Sequence, residues 1–408
     1  MREPVRGSIL FLDDDPPILN GLRVRLHRFD RRWEMRFTDC GEDALAELER
    51  WEADVVVSDV RMPGMDGVEF LRTVSERWPH TIRIALSGFA GEEQAVKLVP
   101  HAHQYLNKPC ESPQLENLLE RCLALPALLP DKRLRALAGA IRTLPVTVAA
   151  HTELQAALSR ESPKVHVVAD IIARDTGLSA KVLQLANSAF FRLARRITSV
   201  EKAVGHLGLA VMRSLMSSTA VFWRGAEHEN AALRLDELQR HACLTGAAAR
   251  ALANNTPQAD DAWAAGLLHD VGYWMLAREC QPDLLRCLEL AETEGLPLHE
   301  AETRLIGASH AQLGAYLLGL WGLPQEVVEA VAYHHAPEAA RQTQFGALGA
   351  LTIAQSLCQA GDAEIFHGRT VPETLVDAGY LRSINAPFDW AEATRRVEAS
   401  RRPAETVS

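Results

Sequence analysis

The 408-residue sequence contains no apolar run that approaches the ~20 residues of a membrane-spanning helix. Its first residues, MREPVRGSILFLDDD, also lack the apolar core and the small-residue cleavage site of a signal peptide. These two absences predict a cytoplasmic protein without a membrane segment.

Cysteine is scarce, and its pattern excludes two kinds of site. The seven cysteines are odd in number and scattered, and no C-x-x-C pair occurs. We therefore expect reduced thiols rather than a disulfide framework or a zinc knuckle. The seven residues are Cys40, Cys110, Cys122, Cys243, Cys280, Cys287 and Cys358.

An excess of basic residues is also missing. The chain has 43 Lys and Arg against 53 Asp and Glu, and its formal net charge is −10. Residues 1–125 carry 16 basic and 22 acidic side chains, and the remainder carries 27 and 31. Neither part has the positive charge of a nucleic-acid-binding domain, and no helix-turn-helix tract with basic flanks is present. No nucleic-acid partner is expected, which argues against a DNA-binding transcription regulator.

What the sequence does contain is an ordinary globular composition, 47% hydrophobic and 24% charged, spread over enough length for two or three domains. In residues 1–125, short apolar runs alternate with helical patterns. The runs do not alternate polar and apolar residues, which is typical of parallel strands buried on both faces. The predicted strands are Ser8–Leu12, Arg36–Thr38, Asp54–Ser58, Thr81–Leu86 and Gln104–Leu106. The predicted helices are Ile18–Arg28, Glu42–Trp51, Val68–Arg77, Glu92–Val99 and Pro113–Leu125.

The pattern changes at Pro126. From there to the end, Ala- and Leu-rich stretches repeat at helical spacing with almost no strand signal. They include a helix predicted over Leu134–Leu144 and a single long helix over Ala259–Leu276. The sequence therefore predicts an all-α region after an α/β domain.

Polar residues follow four of the predicted strands. Asp13, Asp14 and Asp15 follow the first strand, and Asp59 follows the third. Ser87 and Lys108 come after the fourth and fifth. Ligands of parallel α/β sheets bind beyond the carboxyl ends of the strands, so we expect these side chains to lie together. Carboxylates hold Mg²⁺ through oxygen, and an aspartate beside that cation can accept a phosphoryl group.

These residues resemble the receiver domain of two-component response regulators. The matching stretches are LDDDPPIL, VVVSDVRMPGMDG, IALSG and YLNKP. The resemblance implies a flavodoxin-like five-stranded sheet and a sensor histidine kinase, or a phosphotransfer protein, as partner. It implies phosphorylation at Asp59. The Mg²⁺ ligands would come from Asp13, Asp14, Asp59 and the backbone carbonyl of Arg61. Ser87 and Tyr105 would form the switch pair, with Lys108 contacting the phosphoryl group.

A second set of residues lies in the all-α region. It contains five histidines and one aspartate, of which two pairs are adjacent in sequence. Imidazole and carboxylate together suit Mn, Fe or Zn ions, and facing helices often carry such sites. A bridging aspartate between two cations would activate water for attack on a phosphoester. The residues are His241, His269, Asp270, His310, His334 and His335.

The order H…HD…H…HH resembles the HD superfamily of metal-dependent phosphohydrolases, including its cyclic-di-GMP phosphodiesterase branch. Two features of that branch are missing. The helix around Thr352–Gln355 offers no acid where the last aspartate is expected, and HHAPEAAR replaces the Gly-Tyr-Pro signature. The flanking text is closer to the HDOD domain, a degenerate relative that serves as an output or partner-binding module. That text comprises LPVTVAAHTELQAAL, VVADIIARDTGLSAKVLQLANSAFF, ITSVEKAVGHLGLAVMRSLMSS and GLLHDVG.

We therefore expect a receiver over residues 1–124, a linker over 125–133 and an HDOD domain over 134–345. A helical extension over 346–398 and a flexible tail over 399–408 would follow. Two functions remain open. In one, the phosphorylated receiver controls an HDOD module that binds another signalling protein, with homodimerisation as a further option. In the other, it controls a phosphohydrolase that uses manganese or iron. The histidines are ligands in the second case and core residues inherited from an enzyme in the first. Three isolated histidines, His206, His299 and His367, match no motif and are expected to be surface or packing residues.

Overall fold

The structure is a computed structural model. It describes residues 6–87, 101–108, 112–188, 196–217, 223–224, 232–254, 256–358, 365–366, 376 and 378–401. The predicted helix Glu92–Val99, together with Cys110 and His367, lies outside these residues. None of the described helices is both long enough and apolar enough to cross a membrane.

The amino-terminal region is a five-stranded parallel sheet, as predicted, and its strand order is β2-β1-β3-β4-β5. Its strands are β1 Gly7–Leu12, β2 Trp33–Thr38, β3 Val55–Asp59, β4 Ile82–Ser87 and β5 Gln104–Asn107. The described helices on its two faces are α1 Pro16–Leu26, α2 Gly41–Arg50, α3 Gly67–Arg77 and α4 Ser112–Ala124.

Strand side chains alternate between two apolar layers. Phe11 and Val57 belong to a cluster that includes residues of α1 and α4. Leu10 and Val56 belong to a second cluster with α2 and α3 on the opposite face. Every residue of β3 is buried, which explains why its sequence is a continuous apolar run up to Asp59.

The region after residue 124 is mostly helical, which confirms the predicted fold class. Its helices are α5 Lys132–Ala140, α6 Val148–Leu158, α7 Val165–Ala173, α8 Thr176–Ala186, α9 Val200–Ser217, α10 Leu235–Leu252, α11 Ala259–Leu268, α12 Val271–Glu279, α13 Gln281–Glu294, α14 Leu298–Leu305, α15 His310–Leu320, α16 Gln325–Tyr333, α17 Ala347–Cys358, α18 Ala378–Ser383 and α19 Trp390–Arg401.

Three predictions for this region are wrong in detail. The helix predicted to run to Leu144 ends at Ala140, and the chain enters a short strand, β6 Pro145–Val146. That strand pairs in parallel with β7 Trp223–Arg224, so the region has a strand pair that its composition did not show. At the carboxyl end, residues 399–401 continue α19 instead of starting a flexible tail.

The third error lies at the functional centre. The predicted helix Ala259–Leu276 is two helices, α11 and α12, separated at His269 and Asp270. A close backbone contact follows the break, because a Cβ on Gly272 would lie 2.0 Å from the carbonyl oxygen of His310. The absence of a side chain at this position lets α12 approach the start of α15.

The two regions share one interface. A single apolar cluster continues from the sheet through the buried Leu125 and Leu129 into the helices beyond. The segment predicted as a linker is therefore packed in this interface, where a 3₁₀ turn at Leu125–Ala127 precedes α5.

Polar contacts reinforce this interface. Arg83 of β4 donates to the carbonyl of Gly139 near the end of α5, at 2.8 Å. Gln104 of β5 donates to the carbonyls of Gly319 at 3.2 Å and Leu320 at 2.7 Å, at the end of α15. The receiver-like sheet therefore contacts the carboxyl ends of two helices of the second region.

Candidate functional site

The carboxyl edge of the sheet brings three acidic side chains together. Asp13 follows β1 and Asp59 ends β3. Because these two strands are parallel neighbours, both residues lie at the same edge of the sheet. Oxygens of Asp13, Asp14 and Asp59 lie within 4.8 Å of one another. Asp13 is 1% exposed and Asp59 is 8% exposed, whereas Asp14 faces solvent. Three oxygen donors at this separation fit a hard cation such as Mg²⁺.

Lys108 lies against this acidic group. Its ammonium is 2.6 Å from Oδ2 of Asp13 and 2.5 Å from Oδ2 of Asp59. Burial would lower the pKa of Lys108, but the hydrogen bonds to the two carboxylates outweigh it and raise the pKa. Burial raises the pKa of Asp13 despite the nearby lysine. The lysine therefore stays positively charged, where it can neutralise an anion bound to Asp59.

Backbone groups orient Asp59. Its Oδ1 accepts from the amide of Val60 at 2.6 Å and lies 3.4 Å from that of Arg61. Position 67, which packs against the backbone of Asp59, requires glycine, since a Cβ on Gly67 would lie 1.9 Å from the carbonyl oxygen of Asp59. The role of the Arg61 carbonyl as a cation ligand stays a prediction.

The two predicted switch residues differ in how far the structure describes them. Ser87 is the last residue of β4 and pairs with Asn107, but its side chain lies outside the described atoms. Tyr105 is 3% exposed, and its hydroxyl donates to the carbonyl of Ala102 at 3.1 Å. Its ring is therefore buried in the apolar layer that includes residues of α2 and α3, and Gln104 of the interface precedes it in sequence.

The six residues of the all-α region also come together, as two groups of three. The first group is His241 on α10 with His269 and Asp270 at the break between α11 and α12. The second is His310 at the start of α15 with His334 and His335 after α16. In each group the candidate ligand atoms lie within 4.8 Å of one another.

Asp270 connects the two groups. Its Oδ2 lies 3.0 Å from Nε2 of His269 and 3.9 Å from Nε2 of His241. Its Oδ1 lies 3.5 Å from Nε2 of His310. Burial opposes its ionisation, but a positive charge on the imidazole of His269 or His310 outweighs burial and lowers the pKa of Asp270. An ionised carboxylate with one oxygen toward each group has the geometry of a bridging ligand.

Hydrogen bonds fix the tautomers of three of the histidines. Nδ1 of His269 donates to the carbonyl of Gly266 at 2.8 Å, and Nδ1 of His334 donates to that of Val331 at 2.7 Å. Nδ1 of His310 lies 2.8 Å from the carboxylate of Glu302, which can only accept. While these three rings are neutral, Nε2 of each keeps its lone pair for another partner.

Burial holds three of the imidazoles neutral. Burial lowers the pKa of His241 to about 4 and lowers the pKa values of His334 and His335 well below their ordinary value. Neutral imidazole is the form that binds transition metals.

The contacts at the centre of the cluster fit a cation. Nε2 of His335 and Nε2 of His310 lie 3.0 Å apart, so a shared proton or a cation must separate the two lone pairs. Nε2 of His334 and Oδ1 of Asp270 are buried and make no hydrogen bond within the described part of the chain. Buried polar atoms are normally satisfied, and five imidazoles with one carboxylate suit manganese, iron or zinc.

The sequence did not reveal three neighbours of this cluster. Glu302 is fully buried against His310, and the ring of Tyr273 stacks on His310 at 4.0 Å. His299, expected to be a surface or packing residue, does pack, but against His335, with ring centroids 4.4 Å apart. None of the three belongs to a recognisable motif, since each reaches the cluster only through the packing of α12 and α14.

The comparisons with known proteins cover both regions. Residues 9–120 match the family model of the response regulator receiver domain, and residues 144–337 match that of the HDOD domain. Together they contain the acidic group at the sheet edge and all six residues of the histidine cluster.

Curated relatives match parts of the chain. An uncharacterized protein of Treponema pallidum is 27% identical over 210 residues, 50% of this chain and 40% of its own length. The hydrogenase transcriptional regulatory protein HoxA of Cupriavidus necator is 36% identical over 106 residues, 26% of this chain and 21% of its own. The response regulator protein FleR of Pseudomonas aeruginosa is 37% identical over 120 residues, covering 28% and 24%. The chain thus spans less than half the length of these relatives.

Solved structures show similar partial matches. The signal receiver domain of an HD domain-containing protein from Pseudomonas fluorescens is 29% identical, with a TM-score of 0.28, and the match covers 29% of this chain and 94% of that one. The MmoQ response regulator from Methylococcus capsulatus is 21% identical, with a TM-score of 0.48, and the match covers 62% of this chain and 98% of that one.

Proposed function

We propose that this chain, a response regulator receiver domain followed by an HDOD domain, accepts a phosphoryl group on Asp59 and controls its HDOD domain through their shared interface. The observation that carries the proposal is the bond from Gln104 to the carboxyl end of α15. Gln104 directly precedes the switch residue Tyr105, and α15 begins at His310 of the histidine cluster. One helix therefore connects the receiver with the centre of the HDOD domain.

The residues at the sheet edge would have different roles in phosphoryl transfer. A carboxylate oxygen of Asp59 attacks phosphorus as the bond to the donor breaks, and Lys108 stays charged beside the incoming oxygens. Asp13, Asp14 and the Arg61 carbonyl would hold Mg²⁺, which neutralises phosphoryl charge when bound. The receiver family implies a sensor histidine kinase as a phosphoryl source in general.

Phosphorylation would act on the interface because it changes what Lys108 contacts. The lysine now bridges Asp13 and Asp59, and it follows β5 by one residue. A phosphoryl group on Asp59 adds negative charge and acceptor oxygens at this position. The resulting shift of β5 would reach Gln104 and α15, biasing the HDOD domain between two packed states. The HDOD domain then serves mainly as an interaction module for another signalling protein, or for a second copy of the chain.

The test combines phosphorylation with hydrogen exchange. Protein treated with acetyl phosphate and Mg²⁺ is compared with Asp59→Asn under the same conditions. We expect phosphorylation only in the native protein, with altered exchange in residues 104–108 and 310–323. Exchange that stays the same in a fully phosphorylated sample would contradict control through this interface. Light scattering on the same samples reports whether phosphorylation changes dimerisation.

A metal-dependent phosphohydrolase is the second candidate, and the position of Asp270 between two histidine groups favours it. His241 and His269 would hold one cation, and His310, His334 and His335 would hold another. Such cations would activate water for attack on a phosphoester. Against this candidate, α17 contains no acid, although the related phosphohydrolases use an aspartate there.

Two measurements distinguish the candidates. Metal content per chain, after purification without chelator, is expected to be close to two if the cluster is a dinuclear centre. Hydrolysis of bis-p-nitrophenyl phosphate with Mn²⁺ then decides whether the centre turns over. Activity that Asp270→Ala abolishes and the exposed control Asp236→Ala retains would establish the enzyme. Two metals without activity would leave the interaction module as the function.

A further inference from the structure

Glu302 on α14 is a buried acid that pairs with His310 and with no lysine or arginine in the described part of the chain. Its side chain is fully buried, whereas Glu300, the other acid of this helix, faces solvent. Its Oε2 accepts from the backbone amide of His310 at 2.7 Å and from Nδ1 of the same residue at 2.8 Å. Its Oε1 is buried and makes no hydrogen bond within the described ranges. A buried carboxylate of this kind is costly unless nearby charge compensates it.

We infer that Glu302 is the positioning residue for His310 and supplies the second negative charge of the histidine cluster. The inference rests on the proposed metal binding. By accepting from Nδ1, Glu302 holds His310 in the tautomer whose Nε2 points toward Asp270 and His335, at 3.5 and 3.0 Å. A carboxylate behind a ligating histidine fixes the ring and raises its basicity, which strengthens metal binding.

The charge of the cluster supports the same assignment. Among the six cluster residues, Asp270 is the one carboxylate, and α17 contributes no acid. Two divalent cations would then face a single negative charge in a buried site. Glu302 adds a second negative charge beside His310, at the Nδ1 side of the ring, while Nε2 faces Asp270. The bond to the His310 amide also places this charge at the start of α15, where the helix dipole favours it.

The contacts of Glu302 restrict its effect on metal binding to one of the two histidine groups. Glu302 contacts His310, which belongs with His334 and His335. The other group has a different support, since His269 is oriented by the carbonyl of Gly266. Loss of the Glu302 carboxylate should therefore weaken one cation and spare the other, whereas general damage to folding would weaken both.

The experiment is a Co²⁺ titration of full-length Glu302→Gln, followed by visible absorption and by metal content after dialysis. Glu300→Gln is the matched control, because Glu300 is an exposed acid on the same helix. We expect Glu302→Gln to lose 10- to 100-fold in affinity for one of two ions, roughly the effect of other outer-shell partners. Glu300→Gln should match the native protein, and His241→Gln should weaken the other ion. Equal affinities of native protein and Glu302→Gln for both ions would overturn the inference.

A second measurement covers the case in which Glu302→Gln does not fold. Long-range nitrogen-15 spectra of histidine-labelled native protein, with His310 assigned by its loss in His310→Gln, report which ring nitrogen is protonated. We expect the Nδ1–H tautomer of His310, and an Nε2–H tautomer would refute the positioning role. If the native protein binds no Co²⁺, the proposed metal centre fails, while the tautomer still decides whether Glu302 orients His310.

Discussion

Replacement of Gln104 by alanine tests the interface between the two domains most directly. The side chain is 5% exposed and donates to the carbonyls of Gly319 and Leu320. After truncation the carbonyl of Gly319 keeps the amide of Gly322 at 3.0 Å. The carbonyl of Leu320 has no other donor within the described residues, so it becomes a buried acceptor without a partner.

A buried acceptor that loses its partner costs ~1–3 kcal/mol. We therefore expect the free energy of opening the interface to fall by about 2 kcal/mol, which corresponds to about a 30-fold larger open population. Native-state hydrogen exchange at residues 316–323 measures this change, because those amides exchange through the opening when it is fast and reversible.

The matched control is Gln155→Ala, since Gln155 is an exposed glutamine within a helix of the HDOD domain. It should leave exchange at residues 316–323 unchanged. Phosphorylation of Gln104→Ala should alter exchange in α15 less than phosphorylation of the native protein does. Native-like exchange in Gln104→Ala would refute the reasoning, because it would show that apolar packing alone holds α15 on the sheet.

Three further predictions concern single residues, Gly272, His101 and Cys122. Gly272→Ala should lower stability by ~1–3 kcal/mol in thermal unfolding, because its Cβ would meet the His310 carbonyl, whereas Gly205→Ala, with open space around its Cβ, should not. Burial and nearby arginines lower the pKa of His101 to about 4. The unfolded chain therefore binds this proton at higher pH, and stability should fall as pH drops from about 6.5 toward 4. Urea midpoints at pH 7 and 5 should differ less in His101→Gln. Cys122 is 2% exposed, and burial raises its pKa to about 12, so iodoacetamide at pH 8 should label it only after unfolding.

The free cysteines fit the expectation from their spacing. Six of the seven are in the described part of the chain, none of them in a disulfide, and four are buried. The prediction rested on their odd number, their scattered positions and the lack of a C-x-x-C pair.

The secondary structure was predictable where local pattern decides it. β1 and β3 are apolar runs that end at acidic residues, and the structure has both in the middle of one five-stranded parallel sheet. The break at His269 and Asp270 was not predictable, because both flanking segments continue the same apolar helical spacing. The close approach of Gly272, just after the break, to the His310 carbonyl joins positions 38 residues apart in sequence, which no local pattern indicates.

By itself, the sequence determined the two domains, the acidic residues at the strand ends and the six candidate ligands of the HDOD domain. It could do so because strand ends and motif spacing are local properties of the chain. Only the tertiary structure decided that Asp270 lies between two histidine groups, that Glu302 contacts Nδ1 of His310, and that Gln104 contacts residues 215 and 216 positions away. The contacts of Asp270 with His310 and of Gln104 with α15 join elements distant in sequence, and that of Glu302 joins two consecutive helices. All of them arise from how the helices pack and leave no periodic signal in the order of residues.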